Sequence, residues 1–321
     1  MIAWLSRRLR PSPQQERTVH APLLTPAEIA RLAAEGRELA QRRPRLLDTR
    51  RAGDWPAPRL GHGLDFETSR PYLPGDDIRH MDWRTTARSG RAYLRLYREE
   101  RQPCLYLVID RGPAMRFGTR SRLKAAQGAR VAVLLAYAAS AARDSVGASL
   151  WDDGDVHLPI RAGQAAAYAL AQAAARACPP APAAPTPTAA HRYAARLASL
   201  TAQVPHGSHV ALISDFAWLE PGHWPLLARV AEHCELSCIN IADAAERQLP
   251  DLGVALFRDL RDGRHAWLDT RRVAAQLAAA FAQRQTELTT RLQALGARHL
   301  LIGSEEDALL PCFAYDAQPT Y

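Results

Sequence analysis

The stretch Cys104-Leu105-Tyr106-Leu107-Val108-Ile109-Asp110 decides how the chain folds. Six apolar residues run without interruption and stop at an acid. A strand with one wet face alternates apolar and polar residues, so an unbroken run predicts a strand buried on both faces. His209-Val-Ala-Leu-Ile-Ser214 reads as a second buried strand and again stops at an acid, Asp215; residues 236–241 read as a third such strand. Helical patterns occupy residues 120–143, 163–177, 189–203, 221–233 and 271–295, and residues 298–302 read as a last strand. Residues 145–151 and 156–160 read as a hairpin about Asp152-Asp153-Gly154-Asp155, whose turn chemistry suits a tight reversal. Short strands at 254–258 and 265–268 flank an Arg261-Asp262-Gly263 turn. Alternating strands and helices predict an α/β fold, a doubly wound, mostly parallel sheet with one antiparallel edge. In such a sheet the residues just past the carboxyl ends of the strands face the binding crevice. Asp110 and Asp215 both fall there.

Upstream, Thr25-Pro26 opens a helix, with Thr as N-cap, Pro at the first position and Glu28 in the first turn. Ile29, Leu32 and Leu39 give it an apolar side. The expected organisation is a basic tail and N-terminal helix at 1–45, a polar-aromatic segment at 46–102 and the α/β domain at 103–315.

Composition sets limits. The chain has 321 residues, enough to bury a core without disulfides. Alanine supplies 61 of its hydrophobic residues, so the core rests on few large side chains. The net charge is +8, and of 41 basic residues only Lys124 is a lysine. Residues 1–102 carry 20 Arg against 13 acids, which raises nucleic acid or an anionic surface as a partner. Tyr72 and Trp83, however, stand in an acid-rich stretch, unlike a stacking platform in a basic groove. No apolar run reaches the ~20 residues of a membrane span. Five scattered cysteines suit reduced thiols in a cytoplasmic, soluble protein. No G-x-x-x-x-G-K-[ST] phosphate loop and no G-x-S-x-G elbow is present. Cys234 and Cys238, with His223 and His233 nearby, lack the second ligand pair of a zinc site.

The densest segment is Gly63-Leu-Asp65-Phe66-Glu67-Thr-Ser-Arg70-Pro-Tyr72-Leu-Pro-Gly75-Asp76-Asp77-Ile-Arg79-His-Met-Asp82-Trp83-Arg84-Thr-Thr-Ala87-Arg88. Arg70, Arg79, Arg84 and Arg88 are spaced to meet Asp65, Asp76, Asp77 and Asp82, and guanidinium suits bidentate pairing with carboxylates. Trp83 and Tyr72 would cover that network. Two readings stand: a fold-specifying ion-pair cluster, or a partner-binding surface made of Arg70, Tyr72, Gly75, Asp76, Asp77, Arg79, Asp82, Trp83 and Arg88.

This segment resembles the signature of the DUF58 family, at Gly63, Phe66, Arg70, Tyr72, Gly75, Asp76, Asp77, Arg79, Asp82, Trp83, Ala87 and Arg88. The resemblance implies a von Willebrand factor A-like domain preceded by an irregular Arg/Asp-rich segment. It also implies a MoxR-type AAA+ ATPase and a client protein as partners, and a non-enzymatic adaptor role in complex maturation or chaperone-like remodelling. A domains carry a metal-ion-dependent adhesion site, D-x-S-x-S with a Thr and a later Asp. Here Asp110, Thr186 (or Thr188) and Asp215 match, while Gly112 and Ala114 replace the serines. The site is expected to be degenerate, with Arg111 and Arg116 as sources of positive charge in place of metal. No cofactor is expected, Mg²⁺ being the one candidate. A Mg²⁺-dependent hydrolase built on Asp110 and Asp215 has no evident base.

Overall fold

The computed structural model describes residues 5–6, 21–42, 65–73, 77–98, 104–178, 189–258 and 264–313. In chain order the elements are β1 (Leu5–Ser6), α1 (Pro26–Arg42), β2 (Asp65–Pro71), α2 (Trp83–Ser89), β3 (Tyr93–Arg98), β4 (Cys104–Asp110), α3 (Lys124–Ala141), β5 (Ser145–Trp151) and β6 (Val156–Ala162). They continue with α4 (Gln164–Ala174), α5 (Ala189–Gln203), β7 (His209–Ser214), α6 (Trp224–His233), β8 (Glu235–Ala242) and α7 (Ala244–Arg247). The last are β9 (Val254–Arg258), β10 (His265–Asp269), α8 (Thr270–Ala294) and β11 (Arg298–Gly303). The chain forms two compact units, one of Met1–Ala52 with Pro103–Tyr321 and one of Gly53–Gln102.

The larger unit is built on a six-stranded sheet of order β11-β8-β7-β4-β5-β6. The pairs β11–β8, β8–β7, β7–β4 and β4–β5 are parallel, and β6 runs antiparallel to β5 at one edge. The unbroken apolar runs therefore mean what the sequence predicts: every residue of β4 and β7 is buried. Period 2 divides them between two cores. Leu105, Leu107 and Ile109 with Ala211 and Ile213 face a layer of α1, α3 and α4. Tyr106 and Val108 with Val210 and Leu212 face Leu197, Leu227, Leu288 and Leu292 of the opposite helices.

Helix α1 is part of the first core rather than an outlying arm. Ile29, Leu32, Ala33 and Leu39 are buried, and the Thr25 and Glu28 side chains cap its start reciprocally. A Cβ at Gly36 would collide with the Leu134 carbonyl and Tyr137 of α3, so glycine sets the close approach of the two helices. The sequence of residues 120–143 puts Leu123, Ala126, Val133, Leu134, Tyr137 and Ala141 roughly on one side of a helix; the fold buries α3 nearly all round, Lys124, Gln127 and Arg130 included. Packing between the sheet and other helices overrides the amphipathic pattern, and alanines on most faces make such contact possible. β9 and β10 form an antiparallel pair extended by β1.

Among its described residues the smaller unit is regular, where an irregular segment was expected. β2 and β3 pair antiparallel, with α2 between them in sequence. Asp82 caps α2 by accepting from the Thr85 backbone N–H, and Gly90 closes it at φ 69°.

Candidate functional site

β4 and β7 are neighbours at the centre of the sheet, where the strand order reverses: β5 and β6 lie on one side, β8 and β11 on the other. That reversal is the topological switch point at which doubly wound sheets bind ligands. Asp110 and Asp215 lie there, as the sequence indicates, but the tertiary structure has closed the crevice from inside.

Asp110 is 1% exposed. Its Oδ2 accepts from Ser214 Oγ at 2.6 Å, and its Oδ1 from the Gly112 backbone at 2.9 Å and Tyr193 Oη at 3.1 Å. Ser214 Oγ in turn accepts from the Phe216 N–H and from Trp218 Nε1. Burial and the neighbouring Asp215 push the Asp110 carboxyl up to about 6. At Gly112 an added Cβ would run into the Tyr193 hydroxyl. The space of the first missing serine is thus taken by a phenol from α5. Tyr193 stacks on Trp218 with ring centroids 4.5 Å apart, and Trp151 meets both edge-on. The loop after β7 is anchored as well. Phe216 is fully buried at φ 54°, a conformation costly for a bulky side chain, and Arg284 of α8 binds its carbonyl at 2.7 Å.

Asp215 meets Lys124. The ammonium donates to Asp215 Oδ2 and to Glu246 Oε1, each at 2.7 Å, and lies 5.8 Å from the centroid of the Phe117 ring. Burial disfavours both charges. The pairing overrides it, raising the Lys124 pKa and holding Asp215 below the usual carboxylate range.

Arg111 and Arg116, the cations expected from the sequence, turn elsewhere. Both pair with Asp152 at the end of β5, at 3.2 and 2.7 Å, and Arg111 also binds the carbonyls of Ala173, Arg176 and Ala177. The remaining strand ends follow suit. Asp243 after β8 accepts from Thr119 and Ser304. Arg130 and Gln127 of α3 bind the carbonyls of Gly303, the last residue of β11, and of Glu306 and Asp307 after it.

The residues do not fit a hydrated magnesium ion, which needs an octahedron of hard oxygens. Both Asp110 oxygens are engaged by donors, positions 112 and 114 offer no hydroxyl, and an ammonium sits on Asp215. Among the described residues no three His, Cys, Asp or Glu side chains group as ligands. Thr186 lies outside the described residues. Sequence reasoning missed Lys124, Glu246 and Tyr193; the one available signal was that Lys124 is the chain's single lysine.

In the smaller unit two described carboxylates, Asp82 and Asp77, serve as caps. Asp82 is buried and accepts from Ser69 Oγ at 2.6 Å and Thr85 Oγ1 at 2.7 Å. Asp77 accepts from the Arg79 backbone N–H at the start of a 3₁₀ turn, Ile78–His80. Arg79, Arg84 and Arg88 are exposed, while Arg70 and Tyr72 are half-buried. Gly75 and Asp76 lie outside the described residues. Trp83, expected to cover an ion-pair network, is 65% exposed, and Leu73 and Ile78 are nearly as open. Trp83 is the first residue of α2, directly after its cap, and stands largely in solvent.

A sequence model of the family described as "Protein of unknown function DUF58" matches residues 68–302. The chain is 29% identical over 250 residues to the uncharacterized protein Rv1480 of Mycobacterium tuberculosis and to the uncharacterized protein Mb1516 of Mycobacterium bovis, covering 76% of this chain and 76% of each relative. Among solved structures it is similar to the conserved hypothetical protein BatB from Bacteroides thetaiotaomicron (15% identity, 60% of this chain and 98% of that one, TM-score 0.37). It is also similar to an aerotolerance-related membrane protein from Bacteroides fragilis (12% identity, 66% and 96%, TM-score 0.40). Among the described residues no helix is long and apolar enough to cross a membrane.

Proposed function

The chain belongs to the DUF58 family, and from that premise we propose that it is a non-enzymatic protein-interaction module with a von Willebrand factor A-like core. In this reading it acts in the cytoplasm as an adaptor between a MoxR-type AAA+ ATPase, which supplies the energy, and a client protein. The observation that carries the reading is the exposure of Leu73, Ile78 and Trp83 within eleven residues of the family signature. Water penalises such a group, and a cluster of open large apolar side chains is characteristic of contact surfaces. Aromatic side chains flanked by arginine are also what binding hot spots are made of; Arg79 and Arg84 flank Trp83 in sequence and are exposed with it. The switch-point crevice, with its carboxylates engaged internally, supports the same reading, because substrate binding there would first have to break buried ion pairs. The core's strand order, with its antiparallel edge strand, fits an A-like domain.

The test is reconstitution with a MoxR-type ATPase from the same genome. Adding the protein is expected to change the ATPase rate and to yield a complex by size exclusion. Trp83→Ala should abolish both effects while leaving the thermal unfolding curve in place. An ATPase whose rate is unaffected and that forms no complex would remove the proposal.

A further inference from the structure

The switch-point crevice holds a cation that is part of the chain. We infer that the Lys124 ammonium is the resident cation of this site, taking over the charge-bridging work that a divalent ion performs in a metal-dependent adhesion site, so that the loops after β4, β7 and β8 are held together without metal.

Three independent features converge. The first is placement. Lys124 Nζ bridges Asp215 after β7 to Glu246 in α7 after β8, while its own backbone begins α3, which follows the β4 loop. It therefore ties three loops, as a metal ion with ligands from several loops would. The second is electrostatic. Lys124 stands at the first position of α3, the positive end of the helix dipole, where a cation is disfavoured. It is 1% exposed, so solvent does not relieve that cost. Two carboxylates contributed from elsewhere in the sequence offset it, and each would lose its ammonium partner, keeping one backbone N–H donor, if the ammonium left. The third is chemical. Of 41 basic residues this one alone is lysine. A compact ammonium can stand between single oxygens of two carboxylates from different loops, whereas a planar guanidinium needs a fork-shaped space. Asp110, the remaining acid of the site, is reached by hydroxyl donors instead, with Tyr193 occupying the space at Gly112.

The experiment uses the full chain with Mn²⁺ as the probe, read by electron paramagnetic resonance, and thermal unfolding in chelator or in added Mn²⁺ or Mg²⁺. Wild type is expected to bind no Mn²⁺ and to unfold at one temperature in all conditions. Lys124→Ala is expected to unfold at a lower temperature in chelator, to recover part of the loss when Mn²⁺ or Mg²⁺ is added, and to bind Mn²⁺. Lys124→Arg, which keeps the charge but not the shape, should lose stability without gaining Mn²⁺. Binding of Mn²⁺ by wild type that Asp215→Ala abolishes would overturn the inference. So would a Lys124→Ala variant as stable as wild type in chelator. Destabilisation that no divalent ion relieves would reduce Lys124 to an ordinary ion pair and overturn it equally. If Lys124→Ala does not fold, the wild-type Mn²⁺ measurement decides alone.

Discussion

The crevice of the larger unit and the signature segment of the smaller one exchange the roles their sequences suggest. The crevice has the acids of a ligand site, yet Asp110, Asp215 and Asp243 are each buried against internal donors. The signature segment has the alternating Arg and Asp of an internal network, yet it leaves Trp83, Ile78 and Leu73 open and Arg79, Arg84 and Arg88 at the surface. Charge density in a sequence therefore does not say which charges are available. A carboxylate is available only if folding brings no donor to it, and an aromatic is available only if no core closes over it.

The contrast can be broken most forcefully at Asp215. Asp215→Ala leaves the Lys124 ammonium buried with Glu246 as its remaining carboxylate partner, and removing one member of a buried pair costs about 3–5 kcal/mol. Urea unfolding should register a loss of that size. A change under 1 kcal/mol would mean that the crevice is wetter than its burial indicates.

The pH dependence is the next largest effect. The native Asp110 carboxyl titrates at about 6, above its ordinary 3.8. Its contribution to stability is present below the unfolded value and is lost as pH rises through the folded one. Asp215 and Asp243 are shifted down and act in the opposite sense, so the Asp110 part is isolated by comparing wild type with Asp110→Asn. The stability of wild type relative to the variant should fall by up to about 3 kcal/mol between roughly pH 4 and pH 7. A flat difference would place the Asp110 titration outside this window.

Gly112→Ala drives a methyl into the Tyr193 hydroxyl and should cost about 1–3 kcal/mol. Combined with Tyr193→Phe, the penalty should be less than the sum of the two single changes, as expected for residues in contact. Strict additivity by chemical denaturation would show that the phenol does not fill the missing serine's space. The smallest effect belongs to the other region. Trp83→Ala should alter stability by less than about 0.5 kcal/mol, because an indole that is 65% exposed has little burial to lose. A large loss would mean that Trp83 is core, and the contrast would collapse.

Much of the larger unit was legible in the sequence. The runs ending at Asp110 and Asp215 gave both strands, the Asp152–Asp155 turn gave the β5–β6 hairpin, and Thr25-Pro26 with Glu28 gave the start of α1. Each signal is local: a period, a cap or a turn within a few residues. In the smaller unit, the alternation in Tyr93-Leu94-Arg95-Leu96-Tyr97-Arg98 carried a strand signal of the same kind, obscured by the charges around it. The site was legible only in half. Asp110 and Asp215 were in view because they end strands; Glu246 and the donors were not, because no spacing rule connects them.

By itself, then, the sequence determined the alternation of strands and helices, their two-sided burial and the position of two acids at the carboxyl edge of the sheet. The periodicities that produce these features are properties of neighbouring residues. The tertiary structure alone decided what those acids meet. Lys124 lies 91 residues before Asp215, and Tyr193 lies 83 residues after Asp110. They come together because α3 and α5 pack on opposite faces of one sheet, and a pairing set by packing has no local period to betray it.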